Sequence, residues 1–351
     1  MKPTDQPAAD PSSSLPPDEH DRRAARLSTL VALIVPLVLI GLAVVAQLAL
    51  LGTAPARVAI HWDVSGRPDG WAPAWSVPIL TAAIGVFVIA VLGLPVVRAM
   101  RSGDRRPGYR LLGAVALGVS ALVAILSTGT FWQQTDGEQG GVLPSLIAAL
   151  VIAALAGTAG WWVQPDLPAT QTHRPVSALP IADGEQAVWL QSAVAGPAVA
   201  MILGATVLLT VLAGLFSWAG GASWSVILTL AVVTAVSLLV AATTLAYQVR
   251  VSADGLTITS FTGLPRFHIP IDQISAVRVD DDVSPLGDYG GYGIRMRPGT
   301  TAVVVRRGAA IVVDRISGRS LAVVVDDAAT GAALLTAYLG DAVSRRSAES
   351  R

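Results

Sequence analysis

Cysteine is absent from the 351 residues, which removes disulfides, thiolate catalysis and thiolate metal centres together. Lysine occurs once, at Lys2, so no phosphate-loop or Schiff-base lysine exists in the body of the chain. Charge is scarce: 14% of residues are charged, against about 25% in soluble domains. The 24 basic residues balance 24 acidic ones, leaving no overall field to draw the molecule toward nucleic acid. H-E-x-x-H, G-x-S-x-G and phosphate-loop motifs are missing as well.

What is present is apolar sequence, at 53% of the chain. Runs near 27–51, 77–97, 111–131, 142–163, 197–216 and 225–246 each approach the roughly 20 residues that cross a bilayer. They lack the polar stripe that a soluble helical core would need. None contains Asp, Glu, His, Lys or Arg, which argues against a proton pump or ion-coupled carrier, because such machines place ionisable groups at depth. A cleavable signal peptide is the competing reading of the first run, given Ala54-Pro55-Ala56, but the run exceeds a signal core of about 7–15 residues.

Arginine placement orients the spans, since short cytoplasmic loops carry the excess of basic residues. Arg22, Arg23 and Arg26 precede the first run, and Arg98, Arg101, Arg105, Arg106 and Arg110 lie between the second and third. Only Arg57 and Arg67 fall on the other side, so both termini are expected in the cytoplasm and the chain in the plasma membrane. Trp71, Trp75, Trp132, Trp161, Trp162, Trp218 and Trp224 sit near the run ends, at headgroup level.

Residues 1–26 read as a disordered cytoplasmic tail, with five prolines among the first 21. Between the fourth and fifth runs the chain is loop-like until Asp183-Gly184-Glu185-Gln186, whose capping-box character predicts a short helix carrying Trp189 and Leu190. After Tyr247 the pattern alternates with period two, and Ala253-Asp254-Gly255 marks a hairpin. Further strand-like runs reach residue 325, and Asp326-Asp327 caps a last helix with Leu334, Leu335, Tyr338 and Leu339. Residues 248–345 therefore predict a cytoplasmic α+β domain, a curved antiparallel sheet or partly closed barrel with a terminal helix, before a tail at 346–351. Gly287–Gly293 reads as a connection between strands, Asp280-Asp281-Asp282 as a solvated turn, and Arg306-Arg307 as a hairpin tip available to anionic lipid or a protein partner.

The densest polar cluster is the first outer loop, His61-Trp62-Asp63-Val64-Ser65-Gly66-Arg67-Pro68-Asp69-Gly70-Trp71. His61 and Asp63 would share one face of an extended segment, and the turn-formers Gly66, Pro68 and Gly70 would fold Asp69 back toward them. Three readings are open: a rigid cap, a recognition surface for an external peptide or protein built on His61, Asp63, Gly66, Asp69, Gly70 and Trp71, and a metal site of His61, Asp63 and Asp69. A single imidazole without further ligands speaks against the metal; neither metal nor cofactor is expected.

This loop, between two spans, resembles the signature of a bacterial membrane family of unknown function that includes the SdpI-type immunity proteins. The matching positions are His61, Gly66, Asp69 and Gly70, within roughly residues 27–100. The resemblance implies protection against a secreted peptide toxin, joined to signalling through a captured cytoplasmic repressor. Beyond the second span, Ala253-Asp254-Gly255-Leu256, His268-Ile269-Pro270 and Ile274 are similar to a bacterial pleckstrin-homology-like domain, which implies a docking platform. The resulting expectation is a non-enzymatic receptor or scaffold with external and cytoplasmic partners and no nucleic acid. A transporter or channel for a neutral or peptide substrate, gated at Pro36, Gly41 and Pro95, is the alternative.

Overall fold

The computed structural model describes residues 19–63, 65–135, 142–166, 173–181, 186–219 and 224–349. Six helices are long and apolar enough to cross a bilayer: Asp21–Leu50, Ser76–Arg101, Pro107–Gln133, Val142–Val163, Val199–Ala219 and Trp224–Ala242. Leu42, Val45, Phe87, Leu155 and Phe216 stand exposed on them, surface that lipid accommodates and water does not. This is a multi-pass membrane protein. The chain forms two compact units, one running to Asp104 and resuming at Arg110–Asp166, the other made of Arg105–Tyr109 and the chain from Leu167 onward.

In the first unit α1 (Glu19–Thr29) and α2 (Val35–Leu50) are joined by a π-helical turn, Leu30–Ile34. Helix thus covers 19–26, which the sequence suggested as tail; residues 1–18 lie outside the described residues. Strands β1 (Arg57–Trp62) and β2 (Pro68–Pro73) follow, then α3 (Ser76–Val88), a second π turn at Ile89–Gly93, α4 (Leu94–Arg101), α5 (Pro107–Gln133) and α6 (Val142–Val163).

Both π turns precede a proline and close through i+5 bonds, Val35 N–H to Leu30 O and Leu94 N–H to Ile89 O. Pro36 cannot supply the N–H that an α-helix would aim at Ala32 O. Gly93 lies against that oxygen so closely that a Cβ there would sit 2.2 Å from it, and Ile40 covers Gly85. Small residues likewise let α5 and α6 approach, with Gly118 against the Ala153 carbonyl and Gly157 against that of Ala114. Gln47, fully buried, donates to Ser127 Oγ and Thr128 Oγ1, each at 3.0 Å, tying the first span to the third.

The second unit carries α7 (Pro197–Ala219) and α8 (Trp224–Ala242) and two sheets. Strands β3 (His173–Pro175), β8 (Ile274–Val283), β11 (Gly308–Arg315), β12 (Ser320–Val324), β10 (Thr300–Val304) and β9 (Gly293–Arg297) form one, in that spatial order. Strands β4 (Trp189–Val194), β5 (Ala246–Ser252), β6 (Gly255–Ser260) and β7 (Arg266–Pro270) form the other. The expected antiparallel sheet and terminal helix, α10 (Ala328–Glu349), are present. The division into two sheets and the parallel pairing of β10 with β12 are additions, and neither sheet closes into a barrel. Leu256, Ile258, Ile311, Leu321, Val323 and Leu335 fill one core.

Three readings of this region need correction. Trp189 and Leu190 lie on a strand, not a helix: Trp189 pairs with Val251 and Val194 with Ala246, so β4 extends the β5 edge before the fifth span begins. The Asp183–Glu185 part of the predicted cap lies outside the described residues. Within Gly287–Gly293, α9 (Pro285–Tyr289) takes the first residues, capped by Ser284, whose Oγ accepts from Gly287 N–H at 3.0 Å. Asp280, Asp281 and Asp282 belong to β8 and not to a turn.

Asp282 is bound from two sides. Arg106, almost fully buried, donates through Nη2 to its Oδ2 at 2.8 Å and to its backbone O at 2.7 Å, while Arg106 Nη1 meets Asp288 at 2.9 Å. Arg307 donates to both carboxylate oxygens, at 2.8 and 2.6 Å. The Arg307 hydrogen bonds, aided by the Arg106 charge and opposed by partial burial, hold the Asp282 carboxyl below its usual value of 3.8. A depressed carboxyl adds stability above the unfolded value and loses it as pH falls through the folded one. Asp282→Asn should therefore lower stability at neutral pH by on the order of 1 kcal/mol, a modest figure because the side chain is 42% exposed. Thermal midpoints of the variant and the parent should converge in acid; a gap independent of pH would show that ionisation of Asp282 is not what stabilises.

Candidate functional site

The loop between the first two spans folds as a two-stranded hairpin with Arg57 opposite Pro73, Val58 opposite Ala72, and Ala59 opposite Trp71. A bulge then brings His61 opposite Gly70. The pairing needs glycine there, since a Cβ on Gly70 would lie 2.7 Å from that of His61. Gly66 serves the turn differently, with φ +76, in the left-handed region where a side chain is disfavoured. Asp63 organises the same turn: its Oδ1 accepts from Ser65 N–H at 2.8 Å and Arg67 N–H at 2.9 Å. Val64 lies outside the described residues.

His61 and Asp69 come together, Nδ1 to Oδ1, at 2.5 Å. Asp63, expected beside them, is bonded into the turn instead. The backbone N–H groups, that of Arg67 first, hold its carboxyl below 3.8, so it remains an anion through the neutral range. The Ser65 side chain also bonds the Asp63 carboxyl, while Asp69 Oδ2 has no partner among the described residues. Trp71 is half-exposed at the hairpin edge, and its carbonyl accepts from Arg57 Nη2 at 3.2 Å. Among the described residues no three His, Asp or Glu side chains are placed to hold a metal ion. No hydroxyl among the described residues bonds the second ring nitrogen of His61.

The hairpin closes over the adjoining ends of the first three spans. Val58, Ala74, Val77 and Phe131 pack as one buried cluster beneath it. Gln134, just past the end of α5, acts as a third strand for one residue: its Oε1 accepts from Ala59 N–H at 2.6 Å, and its Nε2 donates to Ala59 O at 3.2 Å and Thr130 O at 2.9 Å. Below lies a cavity of about 570 Å3, roofed by Ile60, His61, Trp62 and Asp63 and walled by α3, α5 and α6. Leu80, Ile84, Leu126 and Leu146 make it apolar; Thr81, Ser127 and Gln134 supply polar groups. Among the described residues Trp62 Nε1 is buried without a partner.

Of the residues singled out in the sequence, His61, Asp63, Gly66, Asp69, Gly70 and Trp71 thus share one hairpin, and His61 and Asp63 face the cavity. Gln134, Thr81 and Ser127 were not anticipated. Only the polar Gln133-Gln134 step after Trp132 hinted at a contact. Arg306 and Arg307 are not at a hairpin tip, because β12 lies between β10 and β11. Each is engaged by a carboxylate, Arg306 by Asp326 and Arg307 by Asp282.

The chain matches a protein family described as "Domain of unknown function (DUF1648)" over residues 38–94, which hold the last part of the first span, the hairpin and most of the second span. No curated protein and no solved structure matches it.

Proposed function

We propose that this chain is a non-enzymatic receptor of the bacterial plasma membrane that captures an external amphipathic peptide in the cavity beneath its outer hairpin. The observation that carries the reading is an apolar cavity of about 570 Å3 whose roof carries His61 and the Asp63 carboxylate, with Asp69 held against His61. Apolar pockets with a few placed polar groups are the usual form of a ligand site. Apolar side chains would enter between α3, α5 and α6, and a basic group would meet the carboxylates. The excess of arginine at the α1 and α4 ends supports cytoplasmic termini. In that orientation the sheet unit would dock a cytoplasmic protein, as its likeness to pleckstrin-homology-like modules and that of the loop to SdpI-type immunity proteins suggest.

The test uses the full chain in liposomes and a synthetic Leu/Lys amphipathic peptide carrying a diazirine. Photolabelling should reach α3 and α5, and should fall about tenfold, or roughly 1.4 kcal/mol, both in His61→Ala/Asp69→Ala and in the cavity-filling Leu126→Trp. Labelling indifferent to both variants would overturn the reading. A carrier has one observation in its favour, the two π turns beside Pro36 and Pro95, since such turns recur at functional sites. It requires the peptide to cross the membrane rather than stop in the cavity.

A further inference from the structure

Helix α8 has 19 residues, about 28 Å of rise, close to the roughly 30 Å of a bilayer core. Trp224 marks one end, exposed as an interfacial tryptophan would be. The other end, at Ala242, therefore lies at the opposite edge of the hydrocarbon. The sheet unit begins there: Tyr247 donates to Thr243 O at 2.5 Å, Ser260 Oγ to Ala242 O at 3.3 Å, and Phe261 N–H to Ala246 O at 3.0 Å. The turn between β6 and β7 is thus bonded to the last residues of the span.

That turn presents apolar side chains where a water-facing turn would carry polar ones. Phe261 is 84% exposed and Leu264 76%, among the most exposed large apolar residues in the chain. Several of its polar groups are meanwhile satisfied within the turn. Ser260 N–H donates to Pro265 O, Gly263 N–H to Ser260 O, Thr262 N–H to Ser260 Oγ, and Thr262 Oγ1 to Leu264 O. Each internal bond lowers the cost of bringing the turn toward a medium that offers no water. Arg266 follows directly, exposed and without a partner among the described residues.

We propose that the turn Phe261–Arg266 is a membrane wedge, with Phe261 and Leu264 inserted among lipid chains beside the end of α8 and Arg266 reaching the headgroup phosphates. The wedge fixes the sheet unit against the bilayer as an interfacial anchor does. The far end of the same unit supplies a contrast. Strand β5 runs about 20 Å from Ala246 to Ser252, where Asp254 O accepts from Ile271 N–H, and Ile316 N–H bonds Gln273 O close by. Ile316 is also exposed, at 64%, but at the end remote from α8.

Because the chain has no cysteine, single sites can be labelled without background. Phe261→Cys, Leu264→Cys and Ile316→Cys, each carrying an NBD fluorophore, are reconstituted as full-length protein in phosphatidylglycerol/phosphatidylcholine vesicles. Labels at 261 and 264 should emit blue-shifted light and lose about half of it or more to doxyl-labelled lipid; the label at 316 should do neither. Wet emission at 261 and 264 would overturn the proposal. So would blue-shifted emission that doxyl lipid leaves unquenched, which would assign the turn to a protein neighbour or a second copy. Thr262→Cys, which keeps both apolar side chains, reports the depth of the turn if either replacement weakens insertion.

Discussion

Gly93→Leu should abolish a stably folded first unit, at a cost of about 3 kcal/mol or more, while Gly41→Leu in the neighbouring span leaves stability within about 0.5 kcal/mol of the parent. The two glycines look alike in the sequence, each flanked by apolar residues near a proline. They differ in what surrounds them. A Cβ on Gly93 would stand 2.2 Å from the Ala32 carbonyl oxygen, a backbone atom that no rotamer change can move, whereas nothing lies within 4 Å of a Cβ on Gly41. Overpacking a side chain tip is relieved by local shifts, but overpacking backbone forces the first two spans apart along their π turns. Loss of Gly in an open helical position even removes a small entropic penalty. Thermal midpoints in detergent decide the matter. Equal midpoints for the two variants would mean that Gly93 and Ala32 do not meet, and the crossing at the π turns would have to be abandoned.

The span positions were legible because burying backbone in lipid demands about 20 apolar residues in a row, a signal too long to arise by chance. Strand β4 was not, because its Trp189–Val194 alternation covers only six residues and runs into the apolar start of α7. Six residues of mixed polarity do not distinguish strand from helix; the partner β5, more than 50 residues downstream, decides it. The same non-locality hid Arg106. Read along the chain it is one of five arginines in a basic connection; in the structure it is almost wholly buried between Asp282 and Asp288, some 180 residues away. Residue type announces a charge but not the carboxylate that it meets.

The loop between the first two spans was more legible than the cavity below it. Gly66, Pro68 and Gly70 announce a turn by their backbone preferences, and a turn of that length brings Asp69 back to His61. The bulge that puts His61 opposite Gly70, and the use of Asp63 in the turn rather than in the pair, depend on hydrogen bonds that no composition rule predicts. The clamp from Gln134 and the hydroxyls of Thr81 and Ser127 reach the site from other spans, by helix packing alone.

Gly70→Val should cut photolabelling by the Leu/Lys peptide about tenfold or more, and Gly66→Ala should change it by less than about twofold, although Gly66 is the position with the unusual backbone. Alanine at φ +76 costs roughly 1–2 kcal/mol of local strain, yet a Cβ on Gly66 meets nothing, so the strands and the His61–Asp69 contact persist. Valine at 70 meets His61 at its Cβ and adds two methyls beyond. Either β2 lifts away from β1 or the imidazole rotates out; both break the contact with Asp69 and displace the roof residues Ile60, Trp62 and Asp63. The rest of the first unit should hold, because the Val58, Ala74, Val77 and Phe131 cluster and the Gln134 clamp lie on the other side of the bulge from Gly70. A thermal midpoint close to the parent with labelling lost is therefore the expected signature. Undiminished labelling in Gly70→Val would show that the roof formed by His61 and its neighbours is not part of the binding site, and the cavity would then have to take its ligand from the lipid side.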